Sequence, residues 1–116
     1  MREDKILFLS ADRESLMERE LRKLGFGVVS VRSDVEARFE IEMGRCGVLL
    51  LGFRTNPEIT QELADLFKLN CPKGHIIFVM NEKRNRALRG ADYVVPEAGG
   101  PEAIVGVLRA LGTVAA

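Results

Sequence analysis

Gly47-Val48-Leu49-Leu50-Leu51-Gly52-Phe53 sets four consecutive aliphatic residues between two glycines. The run is too short for a helix and too apolar for a strand with one wet face. It reads as the central strand of a parallel sheet covered on both sides. In an open parallel sheet, ligands and chemistry gather just past the carboxyl ends of the strands. The residue at that position is Gly52, which has no side chain.

Working outward, Lys5-Ile6-Leu7-Phe8-Leu9 is a first buried strand, and Ser10 or Asp12 caps the helix that follows it. That helix carries Leu16, Met17, Leu21 and Leu24 toward the core and ends at Gly25, the glycine just past its last turn. Val28-Val29-Ser30-Val31 is a second, more polar strand suited to a sheet edge. Ser33-Asp34-Val35-Glu36 has the form of a capping box. The helix it opens is expected to bury one stripe of Val35, Phe39, Met43 and Cys46.

Beyond the central strand, Asn56-Pro57-Glu58 combines a capping residue, a proline at the first helical position and an acid in the first turn. Ile59, Leu63, Leu66, Phe67 and Leu69 are expected on the core side of that helix. His75-Ile76-Ile77-Phe78-Val79-Met80 is a fourth strand and Ala91-Asp92-Tyr93-Val94-Val95 a fifth, closed by Pro96. Gly99-Gly100-Pro101-Glu102 starts a last helix with Ile104, Val105, Leu108 and Leu111 inward. Short buried strands alternating with amphipathic helices require right-handed crossovers. The fold class is α/β, a flavodoxin-like five-stranded parallel sheet of order 2-1-3-4-5, helices on both faces, with a shortened fourth helix between Asn81 and Gly90.

The 116 residues suffice for one domain, 1–116, with 112–116 as a flexible tail or the start of a linker. No apolar run approaches the roughly 20 residues that span a bilayer, and the chain opens directly into a strand, so a cytoplasmic location is expected. Cys46 and Cys71 lack metal-ligand spacing and are expected to be reduced. Lys and Arg number 17 against 17 Asp and Glu, which gives no general attraction to nucleic acid or membrane. The exception is local: Lys83, Arg84, Arg86 and Arg89 against Glu82 make a basic cluster between Asn81 and Gly90.

The strand ends are a poor catalytic set. Neither a phosphate-binding P-loop nor a dinucleotide fingerprint is present, and the lone His75 begins a strand, on the opposite edge of the sheet from the loops. No cofactor, no metal and no catalytic residue is assigned, and the chain is not read as an enzyme.

From Lys5-Ile6-Leu7-Phe8-Leu9 through Gly90-Ala91-Asp92-Tyr93-Val94-Val95 the chain resembles a response-regulator receiver domain of the two-component signalling family. The resemblance implies a pocket with two acidic residues after the first strand, a phosphorylated aspartate after the third, Thr or Ser after the fourth and Lys-Pro after the fifth. The carboxylates would bind magnesium, and the hydroxyl and ammonium groups would grip the phosphoryl oxygens. In this sequence the acidic pair falls on Ser10 and Ala11, the aspartate on Gly52 and the hydroxyl on Met80. Pro96 stands at the lysine position, or the lysine is deleted.

All five chemical positions are vacant, and the nearby Asp12 is a single carboxylate suited to a helix cap. Tyr93 matches the family's aromatic on the fifth strand, but Met80 removes the hydroxyl that would draw it inward. The Val95–Pro96 peptide is expected to be trans.

The reading that follows is a degenerate pseudo-receiver: a non-phosphorylatable signalling module acting by protein–protein contact with a signalling protein or an attached output domain. The basic cluster and Tyr93 form its candidate surface, and homodimerisation is compatible with it. The alternative is a sensor of a small anionic ligand, a nucleotide or phosphate, using the hollow at Ser10, Ala11 and Gly52 with Arg54 or Arg84 holding the anion.

Overall fold

A computed structural model describes residues 5–10, 16–52, 56–81 and 88–112. In chain order the elements are β1 (Ile6–Leu9), α1 (Leu16–Lys23), β2 (Val28–Val31), α2 (Asp34–Met43), β3 (Val48–Gly52), α3 (Pro57–Asn70), β4 (His75–Met80), β5 (Tyr93–Pro96), a 3-10 turn (Glu97–Gly99) and α4 (Gly100–Ala110). The strands form one parallel sheet in the order β2-β1-β3-β4-β5. This is the expected topology, with β3 at its centre and the more polar β2 on an edge.

The period of two along each strand divides the core. Leu7, Leu9, Leu49, Leu51, Ile76 and Phe78 point to one face, where Ala37 and Ile41 of α2 and Leu63, Ala64 and Phe67 of α3 cover them. Ile6, Phe8, Val48, Leu50, Ile77 and Val79 point to the other, beneath Leu21 of α1 and Ile104, Val105 and Leu108 of α4. The four aliphatic residues of β3 thus contribute two side chains to each layer, which is why no polar residue interrupts them.

Local signals set the helix ends. At the end of α1 the Phe26 N–H donates to the Leu21 carbonyl and the Gly25 N–H to that of Arg22. Gly25 sits at φ 94°, a conformation that costs a glycine little. Leu21 and Phe26 are buried together on the α1 side. Asn56 caps α3 through its Oδ1, which accepts from the N–H groups of Glu58 and Ile59. The buried Thr60 hydroxyl donates to the Asn56 carbonyl. Ser33 Oγ accepts from the Glu36 N–H as expected, but the Glu36 carboxylate reaches back to the N–H of Arg32, one residue earlier than a capping box prescribes.

Three expected core stripes are corrected. On α2, Val35, Phe39 and Met43 face outward, and Ala37 and Ile41 take the core side. Two apolar stripes with the same spacing compete on this helix. The stripe that meets the sheet contains the small Ala37, and Arg38 beside it pairs with Asp34 on its own helix and with Glu62 of the neighbouring α3. Cys46 is buried as expected, beyond the helix end. On α1, Leu21 is fully buried and Met17 half-buried, while Leu16 and Leu24 are exposed; Leu16 lies about 140° around the helix from Leu21. On α3, Leu69 is exposed, because two residues beyond the buried Phe67 is the opposite side of the helix.

Leu111 packs against the core as expected, and the Val95–Pro96 peptide is trans. The shortened fourth helix falls on residues 82–87 and most of the tail on 113–116, outside the described residues. Among the described residues no helix is long and apolar enough to cross a membrane.

Candidate functional site

The sheet brings four of the singled-out positions to its carboxyl edge. Leu9 of β1 pairs with Leu51 of β3, so Ser10 and Gly52 follow side by side. Gly52 pairs with Val79 of β4, and Met80 pairs with Pro96 of β5. Ser10 holds the edge by donating its N–H to the Val31 carbonyl of β2. Ala11 and Asp12 lie outside the described residues, as do Arg54 and the basic residues Lys83, Arg84 and Arg86.

Gly52 ends the central strand half-buried, and a Cβ built on it would meet no atom within 4 Å. Neither crowding nor a positive φ therefore demands a glycine there. Met80 is partly buried and packs its thioether into the α2–α3 layer, so the position expected for a hydroxyl presents an apolar group. Pro96 is exposed and has no N–H to donate.

Beyond that pair, Asn81 Nδ2 donates to Glu97 Oε1 at 2.9 Å, linking the loop after β4 to the turn after β5. Sequence reading did not find this tie, which joins residues with no periodic relation. No group of three metal-ligating side chains occurs among the described residues.

The candidate interaction surface divides. Tyr93 lies on the edge strand β5, opposite Ile77, with its ring partly exposed beside the more exposed Val94. Arg89, the described member of the basic cluster, is exposed, and its backbone is clamped on α3. Gln61 Oε1 accepts from the Arg89 N–H and Gln61 Nε2 donates to the Arg89 carbonyl, both at 3.0 Å. The clamp holds the chain against α3 a few residues ahead of β5.

At the opposite edge of the sheet, His75 begins β4 with its N–H on the Gly47 carbonyl, well away from the strand-end site. Cys46 and Cys71 are both free thiols. Burial, with the Glu40 carboxylate adding to it, pushes the Cys46 thiol up to about 11, so it stays protonated and is a poor nucleophile at neutral pH.

No protein-family model matches the chain, and no curated protein sequence does. Among solved structures, the chain is similar to the response regulator TrrA, solved in complex with the histidine kinase ThkA. The identity is 17% and the TM-score 0.76, over 96% of this chain and 98% of that one. It is also similar to a two-component transcriptional regulator, AraC, from Clostridium phytofermentans ISDg. There the identity is 22% and the TM-score 0.63, over 90% of this chain and 88% of that one. The fold is that of a receiver domain.

Proposed function

We propose that the chain is a receiver-like signalling module that is not phosphorylated and works by protein–protein contact. The observation that carries the proposal is the composition of the carboxyl edge. Where the central strand would offer a nucleophile, Gly52 offers open space. Its neighbours Ser10, Met80 and Pro96 supply neither a carboxylate for magnesium nor an ammonium for a phosphoryl oxygen. An acyl phosphate at the end of the central strand needs a carboxylate there, and magnesium needs several oxygen ligands.

A fold that keeps its shape while lacking the pocket's chemistry retains its outer faces as the means of signalling. The complex in which TrrA was solved, with a histidine kinase, supports a signalling protein as the class of partner. The open space at Gly52 favours one second reading, a sensor of a small anion.

Incubating the protein with magnesium and a small phosphodonor such as acetyl phosphate, and measuring its intact mass, tests the proposal. The mass is expected to stay unchanged. A covalent phosphoryl adduct on the folded chain would overturn the reading.

A further inference from the structure

The two thiols stand on either side of one backbone hydrogen bond at the amino edge of the sheet. The His75 N–H donates to the Gly47 carbonyl at 3.0 Å, and Cys46 immediately precedes Gly47. Beyond that bond, Cys71 ends α3 and closes a turn onto Gly74, whose N–H donates to the Cys71 carbonyl at 2.9 Å. Gly74 shares the parity of Ile76 and Phe78, so its missing side chain would point into the α2–α3 layer. The Cys71 Sγ occupies that space, 2.8 Å from where a Cβ would lie. Cys46 is buried in the same layer, and Cys71 packs half-buried against the layer. One shielded thiol and one within reach of solvent, on neighbouring segments, suit a pair in which the second is oxidised and the first resolves it.

Cys46 is a poor nucleophile unless a base takes its proton, and Glu40 can serve. Glu40 Oε2 pairs with Arg45 at 2.7 Å, while Glu40 Oε1 is buried with no hydrogen-bond partner among the described residues. A buried carboxylate oxygen left unpaired is costly, and one in a native fold calls for a reason. Of the charged groups around the Cys46 thiol, Glu40 bears on it most strongly, and Cys71 bears on it as well.

We propose that Cys46 and Cys71 are a redox pair: a hydroperoxide oxidises Cys71, and Cys46 then closes a disulfide that ties the end of α3 to the start of β3. In the first step the Cys71 sulfur takes one peroxide oxygen and becomes a sulfenic acid. The peroxide leaves as an alcohol, or as water from hydrogen peroxide. In the second step the Cys46 sulfur attacks the sulfenic sulfur and its proton passes to Glu40 Oε1. The sulfenic hydroxyl takes up a proton and leaves as water. Two electrons pass from the thiols to the peroxide, and closure takes the Cys71 sulfur off Gly74.

The test treats the reduced full chain with a slight excess of hydrogen peroxide, blocks the remaining thiols with iodoacetamide, and reads intact and peptide masses. The expected product is a monomer lighter by two hydrogens that takes up no iodoacetamide. Its Cys46 and Cys71 peptides are joined, and dithiothreitol separates them. The amide spectrum should shift around Cys46, Cys71 and Gly74. Cys46→Ser should leave a sulfenic acid on Cys71 that dimedone captures. Glu40→Gln should slow closure about tenfold or more, so that dimedone competes with it. The amide spectrum of each variant checks its fold, and the unaltered chain decides the bridge by itself.

Both thiols still alkylated after peroxide, a sulfinic acid on Cys71 with Cys46 free, a disulfide between two chains, or closure as fast in Glu40→Gln would each overturn the proposal. These outcomes leave the reading of the strand-end site intact. A phosphoryl adduct would overturn that reading without touching the thiols.

Discussion

Gly74→Ala is expected to lower stability by about 1–3 kcal/mol, a large effect for the addition of one methyl group. A Cβ at this position would lie 2.7 Å from Cε2 and Cζ of Phe67 and 2.8 Å from Sγ of Cys71. Phe67 is buried at the heart of the α2–α3 layer and has little room to yield. The β4 backbone, which follows Gly74 directly, would have to move instead. Urea unfolding of the single variants and of the pair separates crowding from any other cause. Phe67→Leu alone should cost about 1 kcal/mol, and in the Gly74→Ala background it should cost less or become stabilising. Additive costs would contradict the contact.

Asp92→Ala is expected to cost about 2 kcal/mol, because two donors lose their acceptor at once. Oδ2 of Asp92 accepts from the buried Ile76 N–H at 2.7 Å and from Lys68 Nζ at 2.9 Å, while the Asp92 N–H donates to the Ile76 carbonyl. This pair of residues starts the β4–β5 ladder and so positions Tyr93 and Pro96.

Burial alone would raise the Asp92 carboxyl. The hydrogen bonds from Lys68 and from the Ile76 N–H outweigh it and hold the group below its ordinary 3.8. A depressed folded value means that the contribution is complete above the unfolded value and lost as pH falls through the folded one. Asp92→Asn keeps an acceptor for Ile76 and removes the charge, so it should cost less than alanine at pH 7. Its deficit relative to the unaltered chain should close as pH drops below 3.8. A deficit that persists unchanged at lower pH would show that the carboxylate's charge is not what matters.

What could be read from the sequence, and what could not, follows from the range of the forces involved. The β3 run Val48 to Leu51 was legible because only a strand covered on both faces tolerates it. The caps at Asn56-Pro57 and at Ser33 were legible because their partners lie within a turn. The rotation of α2 was not, since Val35-Phe39-Met43 and Ala37-Ile41 have the same spacing, and which of them meets the core depends on packing against strands and a helix far away in the chain.

At the site, counting along the strands placed Ser10, Gly52, Met80 and Pro96 at one edge, and the register brings them together there. The ties that shape the surroundings, Asn81 to Glu97 and Gln61 to Arg89, span 16 and 28 residues and leave no pattern in the sequence. The exposed ridge on α2 was visible as apolar spacing but was read as core. A second apolar stripe on one helix is the signal that could have revealed it.

The central claim is that the carboxyl edge no longer takes a phosphoryl group. An amide spectrum recorded on adding magnesium and then beryllofluoride, which mimics the phosphoryl group on an aspartate, tests it most directly. No localised shift at Ser10, Gly52 or Met80 is the predicted result at millimolar magnesium. Saturable shifts gathered at those three residues would contradict it, because they would mean that a phosphoryl-like ligand still finds its place at the end of β3.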